Sequence, residues 1–260
     1  MQPQQPSHII KQKTGPDDPV LQETLVDALA QVSPADVISI ADELSARHER
    51  IFLNLKTDSV ALESSFADIA AAVTHTKANA RTLTNYFAES DLAGKLITEL
   101  LITELPAPVR VAIFVEKVNA LDTRLALELA SGLLHYTSPN DNWLWTRWLW
   151  DPTTGTGILP LLAGSTHNLL AENLADGYAR VGLVTAMSMK FGEGTGLWTD
   201  ELMSNKKRAQ FANSAFLACA YNVYLYGTTS WRLSREFNNL LPSLPNMARR
   251  LLGLRKNVDR

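Results

Sequence analysis

The chain has 260 residues, 46% of them hydrophobic, 20% charged and 8% aromatic. It is long and apolar enough to bury a core as one large domain or two small ones, which excludes wholesale disorder. A net charge of −3 and a pI near 6.0 exclude a globally basic nucleic-acid binder. A single cysteine, Cys219, with no CxxC and no clustered Cys/His set, excludes a disulfide scaffold or a zinc ribbon. A reducing compartment such as the cytoplasm is therefore expected. Residues 1–19 carry Gln and Pro rather than the apolar stretch of a signal peptide.

Residues 1–16 read as an extended arm. Asp18 before Pro19 then marks a helix start, because proline at the first helical position loses no hydrogen bond; Leu21, Leu25, Ala28 and Val32 follow at helical spacing. Ser33-Pro34-Ala35-Asp36 repeats the device with an acid at the third position, opening a longer helix. Its stripe runs Val37, Ala41, Leu44, His48, Ile51, Leu55, and a second runs Leu62, Phe66, Ile69, Val73, Ala80, Leu83, Phe87. The phase slips between Leu55 and Phe66, and Thr57-Asp58-Ser59 supplies capping residues there, so two helices are predicted. His48 reads as a hydrogen-bonded packing histidine. Asp91 is expected to cap a short helix ending before Pro106, and Pro108 to open one running through Val111, Phe114, Val118, Leu121 and Leu125 toward Leu133.

The composition changes beyond Gly132. Ten of the 13 glycines fall between Gly132 and Gly227, and all six tryptophans between Trp143 and Trp231. The predicted division is thus an arm (1–16), a Gly-poor helical half (17–133), a Trp/Gly-rich helical half (134–241) and a basic tail (242–260). Ser138-Pro139-Asn140-Asp141 reads as a helix start and Asp151-Pro152 as its stop, which places Trp143, Trp145, Trp148 and Trp150 on a helix apolar nearly all round. Further helices are expected over 166–190, from Thr199-Asp200, over 211–227, from Ser230 through Trp231 to Leu240, and as a final amphipathic turn or two over 247–254. Residues 153–157 and 191–196 read as flexible connectors. The 211–227 stretch is the longest apolar run, but Asn213, Ser214 and Asn222 interrupt it, so it reads as a core helix rather than a membrane span.

Tests for known chemistry fail. Gly155/Gly157 and Gly192/Gly194/Gly196 match neither GxGxxG between strand and helix nor a P-loop. ExxH, HExxH and Gly-x-Ser-x-Gly are absent, so no metal, cofactor or serine nucleophile is expected. Cys219 reads as a core thiol.

Two anomalies remain. The Trp143–Trp150 stretch, with Arg147 inside it and Asp151 at its end, reads first as core with an Arg147–Asp151 pair, second as a self-association or partner interface, and third as a ligand site. Residues 232–260 carry seven basic and two acidic residues. With Lys206, Lys207 and Arg208 upstream, Arg249, Arg250, Arg255 and Lys256 become candidates for sequence-independent phosphate contacts, solvation, pairing with an acidic surface, or an anionic membrane surface with Met247, Leu251 and Leu254 on the apolar side.

The sequence therefore predicts an all-α bundle of about nine or ten helices in two imperfectly separated halves. The expected function is non-enzymatic: a structural or interaction protein that self-assembles or holds a protein partner, coating nucleic acid in one version, with Ile9, Ile10 and the four indoles as its interface. The alternative is an enzyme or carrier for an apolar or aromatic small molecule, held at the Trp143–Trp150 stretch with Arg147, Asp151, His167 and Glu172 around it.

Overall fold

A computed structural model describes residues 29, 32–55, 59–88, 92–102, 104–164, 167–230 and 243–254. Among them the fold is all-helical, with twelve helices and no strand. They are α1 (Pro34–Leu55), α2 (Ser59–Val73), α3 (Lys77–Ala88), α4 (Ala93–Ile102), α5 (Ala107–Lys117), α6 (Thr123–Thr137), α7 (Leu159–Ala163), α8 (Leu174–Gly194), α9 (Asp200–Ser204), α10 (Lys206–Ala209), α11 (Ala212–Ser230) and α12 (Leu244–Leu251). Three of these, α7, α9 and α10, have five residues or fewer; α9 follows the predicted Thr199-Asp200 start, whereas α7 and α10 were not expected.

Local signals set the helix starts. Ser33 Oγ accepts from Asp36 N at 3.2 Å while Asp36 Oδ2 accepts from Ser33 N at 3.2 Å, a reciprocal capping box worth about 1 kcal/mol. Thr199 Oγ1 caps α9 through Leu202 N, as its sequence predicts. The stripe Val37, Ile40, Ala41, Leu44, Ile51 is buried throughout. Central to the packing is α6, which meets α1, α2, α4 and α5 and buries Leu125 to Tyr136 on every side except at half-buried Glu128. Each fully buried Leu contributes about 2 kcal/mol. Helix α1 also packs on α10, α11 and α12, and α8 on α5, α7 and α11, so a single core runs from Leu29 to Leu254.

Several expected elements are different. The stripe from Leu62 to Phe87 is broken into α2 and α3 at residues 74–76, where Thr74 Oγ1 turns back to Ala70 O at 2.7 Å and Thr76 Oγ1 accepts from Asn79 N at 3.0 Å. His75 is gripped from α6: Glu128 Oε1 accepts from its backbone N at 3.1 Å and also meets its Nδ1. The stretch from Pro108 to Leu133 likewise divides, because Asp122 Oδ1 accepts from Arg124 N and Leu125 N and starts α6 afresh.

The largest correction concerns residues 138–150, which form a turn followed by irregular chain rather than a helix. The 138–141 turn is closed by Asp141 N and Asn142 N on Ser138 O and then stops. Beyond it the chain doubles back on itself: Asp151 bridges Thr156, and Ile158 N donates to Trp148 O at 2.9 Å. The reversal passes through Gly157 at φ 140°, where a Cβ would fall 2.3 Å from Leu149 O. Helix α8 begins at Leu174, not near residue 166, under an Asn173 cap on Asp176 N, and it extends through Gly192 and Gly194, which the sequence assigns to a connector. The final helix spans Leu244–Leu251, starting slightly before the expected turn.

Ser230, expected to open a helix, is instead the last residue of α11. The predicted start at Asp18-Pro19, the stretch from Trp231 to Leu240, the caps Asp58 and Asp91, and the N-terminal arm lie outside the described residues, as does Thr166.

Candidate functional site

The tryptophan segment is built against α6 and α8. Ser131 Oγ, on α6, accepts from Trp145 N at 3.0 Å, and Trp145 Nε1 donates to Trp150 O at 3.0 Å. Trp143 Nε1 donates to Tyr178 O at 2.7 Å while the Tyr178 hydroxyl donates to Trp143 O at 2.9 Å. Their rings stack at 4.9 Å, adding about 1 kcal/mol. Burial pushes the Tyr178 hydroxyl well above its ordinary range, so it remains a donor.

Glycines on α8 make this possible. A Cβ on Gly177 would lie 2.6 Å from the Trp145 ring, one on Gly182 2.0 Å from Trp143, and one on Gly192 2.9 Å from Trp198. The helix thus carries three seats, each filled by an indole. Trp145, Trp148 and Trp150 are buried within the chain itself, and Trp143 is half-buried.

A cavity of about 200 Å³ lies between the 142–149 segment, α8 and α11, with Trp143, Trp148 and Trp198 in its walls and His135 of α6 beside them. Exposed Asn140 and Met189 belong to its rim. Asn142 and Trp148 are only 6% and 7% exposed. Among the described residues, seven buried side-chain polar atoms have no hydrogen-bond partner, and four belong to residues lining this one space: Asn142 Oδ1, Trp148 Nε1, Thr185 Oγ1 and Trp198 Nε1. Each buried, unpaired polar group costs about 1–3 kcal/mol. All four atoms are closed off from a water-sized probe, so none of them lies open to the cavity.

His135 has a fixed tautomer. Its Nδ1–H donates to Asn142 O at 2.9 Å, leaving Nε2 to accept from the Ser214 hydroxyl at 3.2 Å. Burial lowers its pKa to about 4, against the raising effect of the Asn142 carbonyl, so the ring is neutral. Ser214 and His135 are hydrogen-bonded like a nucleophile and its base, but an imidazole titrating near 4 is a weak acceptor for a hydroxyl proton.

No family model fits the chain, and neither a curated protein nor a solved structure matches it significantly.

The residues singled out from sequence are dispersed. Arg147 Nε donates to Asp151 Oδ2 at 3.0 Å, the expected pair, although on irregular chain rather than a helix. Burial would raise the Asp151 carboxyl, but Thr153 N–H, Arg147 and Arg124 outweigh it and hold the group below its ordinary value. Asp151 thereby fastens the 152–155 turn. Arg147, Asp151, His167 and Glu172 are not among the cavity-lining residues.

The basic residues meet α1 instead. Lys207 Nζ pairs with Glu49 at 2.6 Å, Arg208 with both Asp42 oxygens at 2.7 and 3.0 Å, and Arg249 with Glu43 at 2.6 Å and with Ser39 Oγ at 2.8 Å. The acidic row on α1 takes up charges that the sequence offered to phosphates. Lys206 and Arg250 are exposed, while Ile9, Ile10, Arg255 and Lys256 lie outside the described residues.

His48 is the packing histidine expected, with Nδ1 at 2.6 Å from Tyr136 O. Cys219 is fully buried, and burial pushes its thiol up to about 12. Among the described residues no His/Cys/Asp/Glu group could hold a metal ion, and no helix is long and apolar enough to cross a membrane.

Sequence reasoning missed Asn142, Thr185, Trp198 and Ser214 as a set. They come from a loop, α8, another loop and α11, with no shared spacing to mark them.

Proposed function

We propose that this chain is a non-enzymatic helical protein that binds a small, largely apolar aromatic molecule in the cavity beside residues 142–149. One observation carries the reading: a single space of about 200 Å³ has three indoles in its walls, with His135, Asn213 and Ser214 beside them and no charged side chain. Aromatic walls with a few convergent polar groups are the usual makeup of a small-molecule site. The weak basicity of His135 favours binding over proton transfer.

Self-assembly or partner binding takes second place because its residues are engaged elsewhere. Trp145 and Trp150 pack in the core, while Arg208 and Arg249 pair with α1. Nucleic-acid coating loses the same two cations.

The test is native mass spectrometry of the protein purified from its own source, followed by denaturation. The expected result is a small-molecule mass increment that disappears when the chain unfolds. A bare chain would overturn the ligand reading, and a chain carrying only further copies of itself or nucleic acid would favour assembly instead.

A further inference from the structure

We infer that the occupant of this cavity is an uncharged hydrocarbon of one or two rings, selected by shape and held without a hydrogen bond to the side chains around it. This rests on the cavity being a ligand site, as proposed above, and adds what that site accepts and what it refuses.

The first argument is charge. Among the described residues that line the cavity none is Asp, Glu, Lys or Arg. Burial keeps His135 neutral. A charged ligand would surrender its hydration here without meeting a counter-charge, which is strongly unfavourable. Arg147, the cation that the sequence offered for an acidic ligand, is paired with Asp151.

The second argument is that the polar side chains of the walls are engaged with the protein or closed off. His135 is bonded through both ring nitrogens, to Asn142 O and to the Ser214 hydroxyl. Asn213 Oδ1 accepts from Ser188 Oγ at 3.1 Å, and its Nδ2 donates to Thr185 O at 2.9 Å. Trp143 Nε1 and Asn142 Nδ2 donate to the carbonyls of Tyr178 and Ser138. The Trp148 and Trp198 N–H groups, the Thr185 hydroxyl and Asn142 Oδ1 admit no water-sized probe, so a ligand does not reach them. Of the lining side chains that can hydrogen-bond, this leaves Asn140, which is exposed, and Gln210, which is half-buried. A polar group carried into the cavity would therefore lose its water with nothing in exchange, whereas a hydrocarbon surface has no such loss.

The third argument is shape and size. Gly182 and Gly192 on α8 seat the Trp143 and Trp198 rings, so these walls are flat and held in place before a ligand enters. An apolar cavity of roughly 150 Å³ takes up benzene. The space here, about 200 Å³, suits a substituted single ring or two fused rings. Rigid aromatic walls favour such a flat body over a flexible chain, which would lose more freedom on binding.

The experiment titrates the whole chain with indene, benzimidazole and indene-3-carboxylate, which share one bicyclic frame, using calorimetry with tryptophan fluorescence as a second readout. Indene should bind at least about tenfold more tightly than benzimidazole, whose ring N–H and ring nitrogen both lose hydration, and the carboxylate should bind more weakly still. The double variant Ala186→Leu/Ala209→Leu adds bulk at two lining positions that are exposed and half-buried, so the core is spared. It should weaken indene at least about tenfold by filling the space the ring needs, with helix content unchanged.

Benzimidazole or the carboxylate binding as tightly as indene would overturn the inference and leave a ligand site of polar chemistry. Indene affinity unchanged in the folded double variant would move binding away from this cavity and overturn the inference as well. If none of the three binds, the ligand reading falls with it.

Discussion

Trp143 lies so close over Gly182 that a single methyl group on the glycine would come within 2.0 Å of Cζ2 of the indole. The ring is held by its bond to Tyr178 O and by the stack on Tyr178, so it has little freedom to yield. Gly182→Ala is therefore expected to destabilise the protein by about 1–3 kcal/mol, despite alanine's higher helix propensity. A methyl group on Gly194, in the same helix, would meet nothing within 4 Å. Gly194→Ala should stabilise by about 0.5–1 kcal/mol. Thermal melts of the two variants should move in opposite directions.

Arg47 is buried, 4% exposed, and its guanidinium donates to three uncharged oxygens: Tyr136 Oη at 3.2 Å, Leu252 O at 2.6 Å and Gly253 O at 2.6 Å. Arg47→Met leaves two carbonyls and a hydroxyl without their donor. The expected cost is about 2–4 kcal/mol. Limited proteolysis should then cut first near residues 243–254, because this guanidinium fastens the end of α12 to α1.

Acid should weaken the fold through His135. The unfolded imidazole binds a proton near 6.5, and the folded one only near 4. Between these values the unfolded state carries more protons, so stability is full above about pH 6.5 and falls as pH drops toward 4. The loss across that window is about 3 kcal/mol. Denaturant titrations at successive pH values should show it, and His135→Gln should have a flatter dependence from a lower starting point. An equal slope in the variant would assign the acid sensitivity to another group.

Cys219 is fully buried with its thiol near 12, so it should resist alkylating and disulfide-exchange reagents at neutral pH. One thiol should become reactive in a cooperative step on denaturation. Rapid labelling of the native chain would contradict this placement.

The helical class and most of the first half were legible because their stripes face one core, as Val37, Leu44 and Ile51 do. The breaks at residues 74–76 and 118–122 were harder to see. Apolar spacing runs straight across them, and the deciding groups are polar: Glu128 reaching from another helix in the first case, Asp122 capping in the second. The Trp143–Trp150 segment misled for a related reason. A stretch apolar on all sides has no period with which to distinguish a helix from a buried loop. Its path depends on Ser131 and on glycine seats more than thirty residues downstream. The joint enrichment of glycine and tryptophan beyond Gly132 did mark a differently packed region, and the seats on α8 supply its cause: large rings need places where a neighbour has no side chain. The cavity was not legible, since its lining residues come from segments that share no motif.

The Arg47 clasp joins residues more than two hundred positions apart, and this bears on how the chain matures during synthesis. Helix α1 leaves the ribosome long before the carbonyl groups that accept from its guanidinium are made. Until they emerge, the Arg47 guanidinium has only the Tyr136 hydroxyl of its three acceptors, and α1 lacks the bonds that fasten it to residues 252–253. Helix α1 is thus expected to remain incompletely docked during translation, with consolidation coming only once Leu252 and Gly253 have cleared the exit tunnel. Nascent chains that stall before Leu252 should accordingly be retained by chaperones and cleared by proteases.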